Sequence, residues 1–190
     1  MKTILPALRM FTVLTLLTGI IYPLAVTGVA RLLFPRQAQG SLIARDGELA
    51  GSELIAQSFT NAAYFWPRPS AGDFATVPSG ASNKGPASAD LKHAIEARAA
   101  QWRAAQHLPA DAPVPADLLL ASASGLDPHI SPEAARFQIN RVAAARHFTP
   151  EQQQRLAALV DRSVELPQLG FLGEPRVNVL KLNLAVDSLR

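Results

Sequence analysis

The sequence contains no cysteine, which excludes disulfide staples and thiolate metal sites and leaves packing to hold the fold. Phosphate-binding loops are missing too, since neither GxxxxGK nor GxGxxG occurs. A DKTG phosphorylation motif, a nucleophile elbow and a selectivity-filter-like stretch are likewise absent. The four histidines, His93, His107, His129 and His147, are scattered, and none pairs with another at metal-ligand spacing beside a carboxylate. No metal site is therefore expected. Unbalanced charge is scarce as well. The formal net charge is +3, and Lys2, Arg9 and Arg31 at the N-terminal end account for it. The rest of the chain is neutral, which argues against nucleic acid as a partner and leaves no polybasic patch for anionic lipid.

What is present is one long apolar run. Met10 to Ala30 carries no charge. As a helix, this stretch of about 21 residues spans roughly 30 Å, the hydrocarbon thickness of a bilayer. Its ten strongly apolar side chains, Phe11 to Val29, supply roughly −3 to −6 kcal/mol toward insertion. Threonines, Gly19, Gly28 and Pro23 offset part of that, and Pro23 predicts a kink that membrane helices tolerate. A cleaved signal peptide is the competing reading, with Gly28-Val29-Ala30 as its cleavage site. The run is longer than the roughly 7–15 residues of a signal h-region. The expected organisation is a cytoplasmic stub over 1–9, a transmembrane anchor over 10–34 and one soluble domain over 35–190. Lys2 and Arg9 before the run and Arg31, Arg36 and Arg45 after it leave the orientation undecided. A short stub before a large domain fits an anchor that exports its C-terminal part.

The domain reads as α+β, a small sheet with about three helices packed on it. Leu42-Ile43-Ala44, the turn pair Asp46-Gly47 and Leu49 predict a hairpin, with a further strand at Leu54-Ile55-Ala56. Tyr64 to Gly85 is a long loop carrying Tyr64-Phe65-Trp66, whose aromatics must bury somewhere. Ser88 is placed to N-cap a helix to about Gln106, with Leu91, Ile95, Ala99 and Trp102 at helical spacing. Asp117 to Ala121 reads as a buried strand and Ser124 to Ser131 as a loop. Ser131-Pro132-Glu133 starts a helix to about His147, and Thr149-Pro150-Glu151-Gln152 starts another that ends before Pro167. Val177 to Leu182 alternates as a half-buried strand.

Few residues suggest chemistry. Ser122, Ser124, Asp127 and His129 crowd one loop, and a hydrolase reading makes them nucleophile, orienter and base. The plainer reading is stronger: Asp127-Pro128 starts a turn and Ser131 caps the next helix. Ser82-Asn83-Lys84-Gly85-Pro86 reads as a turn. Gln138, Asn140 and Arg141 fall inside a helix, where a solvated charge is the default for Arg141 and Arg146.

Five segments in order resemble one family: Tyr64-Phe65-Trp66-Pro67-Arg68-Pro69-Ser70-Ala71, Ser82-Asn83-Lys84-Gly85-Pro86, Ser122 through Pro132, Ala135 to Arg146, and Gly173 to Asn183. The chain is similar over nearly its whole length to the C subunits of the Kdp potassium-transporting P-type ATPase. Lys84 and Trp66-Pro67 stand where the family often has smaller or apolar residues.

The resemblance implies potassium transport by a hetero-oligomer in the cell inner membrane. In it a channel-like subunit selects the ion, an ATP-hydrolysing subunit drives uptake and a very small subunit stabilises the assembly. The C subunit is implied to be non-catalytic and to hold no cofactor of its own, with ATP and potassium handled by the complex. It stabilises assembly and acts as a catalytic chaperone that raises the ATP affinity of the hydrolysing subunit. Its domain is implied to be periplasmic on a single-pass anchor. Gln138, with Arg141 beside it, matches the family's suggested nucleotide contact, although a periplasmic domain lies across the membrane from cytoplasmic ATP. Tyr64, Phe65, Trp66, Arg68, Asn83, Asp127 and His129 are the candidate partner-interface residues, with aromatic anchors as the expected hooks. Gly19, Gly28 and the threonines offer small contacts to neighbouring helices in the membrane. Two other readings stand beside this one: an anchored hydrolase using Ser124, Asp127 and His129, and an anchored ligand-binding or sensor domain.

Overall fold

A computed structural model describes residues 3–45 and 47–189. The chain divides into two compact units, residues 1–52 and 53–190. The first unit begins with a continuous helix, Ile4–Leu33, long and apolar enough to cross a membrane, none of it buried. It comprises α1 (Ile4–Leu16), a π-helical turn at Leu17–Ile21 and α2 (Tyr22–Leu33). Pro23 explains the wide turn: it has no N–H to donate, and the Tyr22 N–H reaches back five residues to the Leu17 carbonyl. A short α3 (Pro35–Ala38) follows. The hairpin predicted next is present, with β1 (Leu42–Arg45) antiparallel to β2 (Glu48–Ser52). Asp46 of its turn lies outside the described residues.

The second unit is α+β as expected. Helix α4 (Ala89–Ala105) starts at Ser88, whose hydroxyl accepts from the Leu91 amide. Helix α5 (Pro132–Ala145) starts at Ser131, which caps Ala134. Helix α6 (Pro150–Arg162) starts at Thr149 in a full capping box with Gln152. Both α4 and α5 end on a histidine in the left-handed region, His107 at φ 54° and His147 at φ 53°. The His147 amide donates to the Ala144 carbonyl and the Phe148 amide to the Ala143 carbonyl. That is the Schellman closure of a helix C-terminus, with histidine where glycine is usual. Two of the four histidines thus serve as helix stops.

Three predicted strands differ in the structure. Leu54-Ile55-Ala56 forms none, because its backbone is tied at separate points rather than along a ladder: Asn178 donates to the Glu53 carbonyl and the Ala56 amide to the Leu126 carbonyl. Asp117 to Ala121 begins as a 3-10 turn, Ala116–Leu118, whose Asp117 carboxylate accepts from the Ser131 amide at 2.7 Å. Val177 to Leu182 is split. Its first part is the central strand of a three-stranded antiparallel sheet in the order β3 (His129–Ile130), β5 (Arg176–Asn178), β4 (Val164–Glu165). The rest is helix α7 (Val179–Val186), opened by Asn178 accepting from the Lys181 amide. Its buried positions, Val179, Leu180, Leu182, Asn183 and Val186, follow a helical period that a six-residue window cannot distinguish from alternation. The core gathers Phe65, Leu118, Ile130, Val142, Leu156, Val160, Val177 and Leu182, all buried, between the sheet and α5, α6 and α7.

Candidate functional site

The best-defined polar constellation surrounds the Tyr64-Phe65-Trp66 segment. This segment belongs to no helix and pairs with no strand. Two side-chain amides take the place of one. Asn183 on α7 accepts from the Phe65 N–H at 2.7 Å and donates to the Phe65 carbonyl at 3.0 Å. Gln138 on α5 does the same for Trp66, at 2.7 and 3.1 Å. Consecutive backbone units, which no ladder satisfies, are thereby paired inside the core. Arg141, one turn beyond Gln138, donates to the Ala62 carbonyl at 2.6 Å, the Tyr64 carbonyl at 3.1 Å and Gln138 Oε1 at 2.7 Å. Its guanidinium lies 4.0 Å from the Trp66 ring centroid and 5.7 Å from that of Trp102. Burial lowers its pKa to about 10, so it remains charged at neutral pH. Three acceptors and two aromatic faces compensate for the lost water. Arg146 completes the clasp, donating to the Ala63 carbonyl and to Asp187, to which the Tyr64 hydroxyl also donates.

A second constellation lies at the sheet. Arg68 Nη1 is 3.1 Å from Asp127 Oδ2, and the His129 backbone N–H donates to Asp127 Oδ1 at 3.0 Å. The His129 ring sits between Asp127, at 3.4 Å, and Glu165, at 4.0 Å. Glu165 also meets Arg176 at 3.2 Å and Lys181 at 3.4 Å, and Lys181 bridges on to Glu53 at 2.9 Å. Burial pushes the Asp127 pKa up, but the His129 hydrogen bonds and the nearby Arg68 charge outweigh it and hold the carboxyl below its usual range. A carboxylate with a depressed folded-state pKa adds stability above its unfolded pKa and loses it as the pH falls through the folded value. The stability gap between the native chain and Asp127→Asn should therefore be constant from neutral pH down to about pH 5 and close below about pH 4. Urea midpoints measured across that range check this; a gap that does not begin to shrink as the pH falls below about 4 would count against it.

Residues 4–188 match the profile of the K+-transporting ATPase c chain, KdpC. The chain belongs to this family. Relatives bearing the name potassium-transporting ATPase KdpC subunit span its full length. One from Polaromonas naphthalenivorans (strain CJ2) is 55% identical over 194 residues, covering 100% of this chain and 97% of that protein. One from Dechloromonas aromatica (strain RCB) is 50% identical over 193 residues, covering 100% and 99%. One from Rhodospirillum rubrum is 55% identical over 190 residues, covering 98% and 96%.

Within this KdpC framework the sequence-predicted site residues part company. Phe65 is wholly buried and is no hook for a partner in this conformation. Trp66 is half-buried between Arg141 and Trp102, whose ring centroid lies 5.0 Å away. Tyr64 is half-buried against Arg146. The loop aromatics, expected from the sequence to bury somewhere and to serve as partner hooks, thus form largely an internal lock, and they bury because polar side chains tie down their backbone. Gln138 is fully buried, its oxygen accepts twice and its nitrogen donates to Trp66, so a nucleotide would have to displace the clasp. Arg141 is also buried and committed, contrary to the solvated charge that is the default on a helix. Arg68, Asp127 and His129 are brought together, each half-buried, and Asn83 is exposed in a left-handed turn at φ 52°. Ser124 does not join them: its hydroxyl accepts from the Leu126 amide, and among the described residues no hydrogen bond links it to His129. Gly125 explains why this loop is tight. At φ +71° its Cα faces the Gly80 carbonyl, and a Cβ would sit 2.9 Å from that oxygen. Sequence reasoning missed the pairing roles of Asn183, Arg146 and Asp187; only the place of Asn183 and Arg146 in the family-like segments hinted at theirs.

Proposed function

We propose that this chain is a non-catalytic, single-pass accessory subunit of an ATP-driven potassium uptake complex in the cell inner membrane, with its α+β domain in the periplasm. Its partners are the channel-like, ATP-hydrolysing and small stabilising subunits. One observation carries the reading: full-length family membership coincides with a wholly uncovered apolar helix, Ile4–Leu33, which needs lipid or neighbouring helices around it. The inward-turned chemistry of the domain supports an assembling role. Gln138 and Arg141 are spent on holding the Tyr64–Trp66 backbone rather than offered to a ligand. The chaperone effect, a higher ATP affinity of the hydrolysing subunit, then acts through protein contacts and needs no nucleotide on this chain.

The test compares the purified chain with the complex. The isolated full-length chain in detergent should show no saturable binding of ATP by calorimetry, while pull-down of the chain should recover the larger subunits. A complex purified without this chain should show a higher KM for ATP at similar kcat. Tight ATP binding by the isolated chain, lost in Gln138→Leu with folding retained, would overturn the contact mechanism. Failure of the chain to co-purify with a potassium-transporting ATPase would overturn the subunit reading itself.

A further inference from the structure

The loop between β4 and β5 exposes more apolar surface than any packing need explains. Leu166, Leu169, Phe171 and Leu172 are 75%, 82%, 73% and 49% exposed. Residues 166–173 contain no charge. Scattered single apolar residues on a surface are ordinary, but four on one short tongue are not. Nor is the tongue a loose end. Gln168 and Leu172 exchange both backbone hydrogen bonds at 2.9 Å, and the Gly170 amide donates to the Pro167 carbonyl. At the tip Leu169 is left-handed at φ 54°, a conformation uncommon for leucine, followed by Gly170 at φ 83°. The roots are the paired strands, with Val164 opposite Val177 and Glu165 opposite Arg176. The apolar side chains are thus presented on a pre-shaped support, which lowers the ordering cost of binding.

Charge narrows the choice of occupant. Just past the tip, Glu174 is exposed and has no ion-pair partner among the described residues. Arg68 and Arg176, which line the same cleft as Glu174, are already paired with Asp127 and Glu165. An apolar tip with a free carboxylate beside it is repelled by an anionic lipid surface, which attracts basic flanks. It matches an apolar cleft edged by a basic side chain on a protein.

We infer that the 166–173 tongue is a docking plug that inserts Leu169 and Phe171 into an apolar, basic-rimmed cleft on another subunit of the potassium-transporting complex. The inference rests on the subunit reading above. Glu174 fixes the orientation by meeting the basic rim, and the apolar pair supplies the affinity, as buried aromatic and aliphatic anchors do in other interfaces.

The test uses the whole complex. A photoreactive benzoylphenylalanine is placed at Phe171, with the same group at exposed Ala100 on α4 as a control. Irradiation of the purified complex should give an adduct between position 171 and a stoichiometric subunit, absent from position 100. In parallel, Leu169→Asp with Phe171→Asp should weaken association with the detergent-solubilised partner subunits about tenfold or more. Both sites being exposed, the thermal midpoint of the chain should stay near that of the native protein. Glu174→Lys should weaken association less, and the loss should shrink as salt is raised. Adducts with lipid alone, or none at all, in a chain that still co-purifies with the complex overturn the plug and leave the subunit reading standing. A native chain that does not co-purify overturns both.

Discussion

Arg141→Met should lower the free energy of unfolding by about 3–5 kcal/mol, a large share of the roughly 5–15 kcal/mol that holds a domain together. Methionine keeps much of the stem volume but removes every donor. One acceptor site of buried Gln138 and the half-buried Tyr64 carbonyl are then left without their charged partner, while the carbonyl of exposed Ala62 can turn to water. Stranded buried acceptors each cost about 1–3 kcal/mol, and backbone relaxation recovers part of that. The aromatic faces of Trp66 and Trp102 lose their cation as well. Arg141→Lys should recover only part of the loss, because an ammonium cannot fork to two carbonyls while lying flat on an indole. Trp66 and Trp102 are the only tryptophans in the chain, so urea unfolding followed by tryptophan fluorescence reports on this cluster directly. An unchanged urea midpoint would show that the clasp contributes nothing to stability.

Phe65→Ala is expected to cost about 3–5 kcal/mol, the usual range for emptying a buried aromatic site. Phe65 is 0% exposed and sits in the same cluster as Leu118, Val142 and Leu182. The Asn183 hydrogen bonds are to the Phe65 backbone and survive the change, so the loss reports packing alone. Phe65→Leu should recover more than half of it by refilling most of the volume. Val77→Ala, at a residue 89% exposed, serves as the near-neutral comparison. The expectation that Phe65 is a partner hook stands against its complete burial in the domain. A normal unfolding midpoint for Phe65→Ala with defective complex assembly would restore it.

Much of the fold was legible because it is written locally. Ser88, Ser131-Pro132 and Thr149-Pro150 announce helix starts through side chains that reach amides three residues away. The β1–β2 hairpin was legible through its turn and alternation. The short strands were not. β3 and β4 are two residues each and β5 three, too short to carry a period, and they exist because their partners happen to lie alongside. Helix α7 was misread because a run of valine and leucine fits both periods until a cap decides between them, and Asn178 was not recognised as that cap.

The candidate site shows the same divide more sharply. The membrane-length run, the balanced charge of the remaining chain, the helix caps and the family membership follow from the order of residues alone, because hydropathy and capping act within one or two turns. The fate of Tyr64-Phe65-Trp66 does not. Gln138 lies 72 residues from the backbone it pairs, and Asn183 lies 118 residues away. Nothing local distinguishes a glutamine, asparagine or arginine that will be buried from one that will face water. Only when α5 and α7 close over the segment does its unpaired backbone demand donors and acceptors in the core, and that demand turned a supposed docking loop into an internal lock.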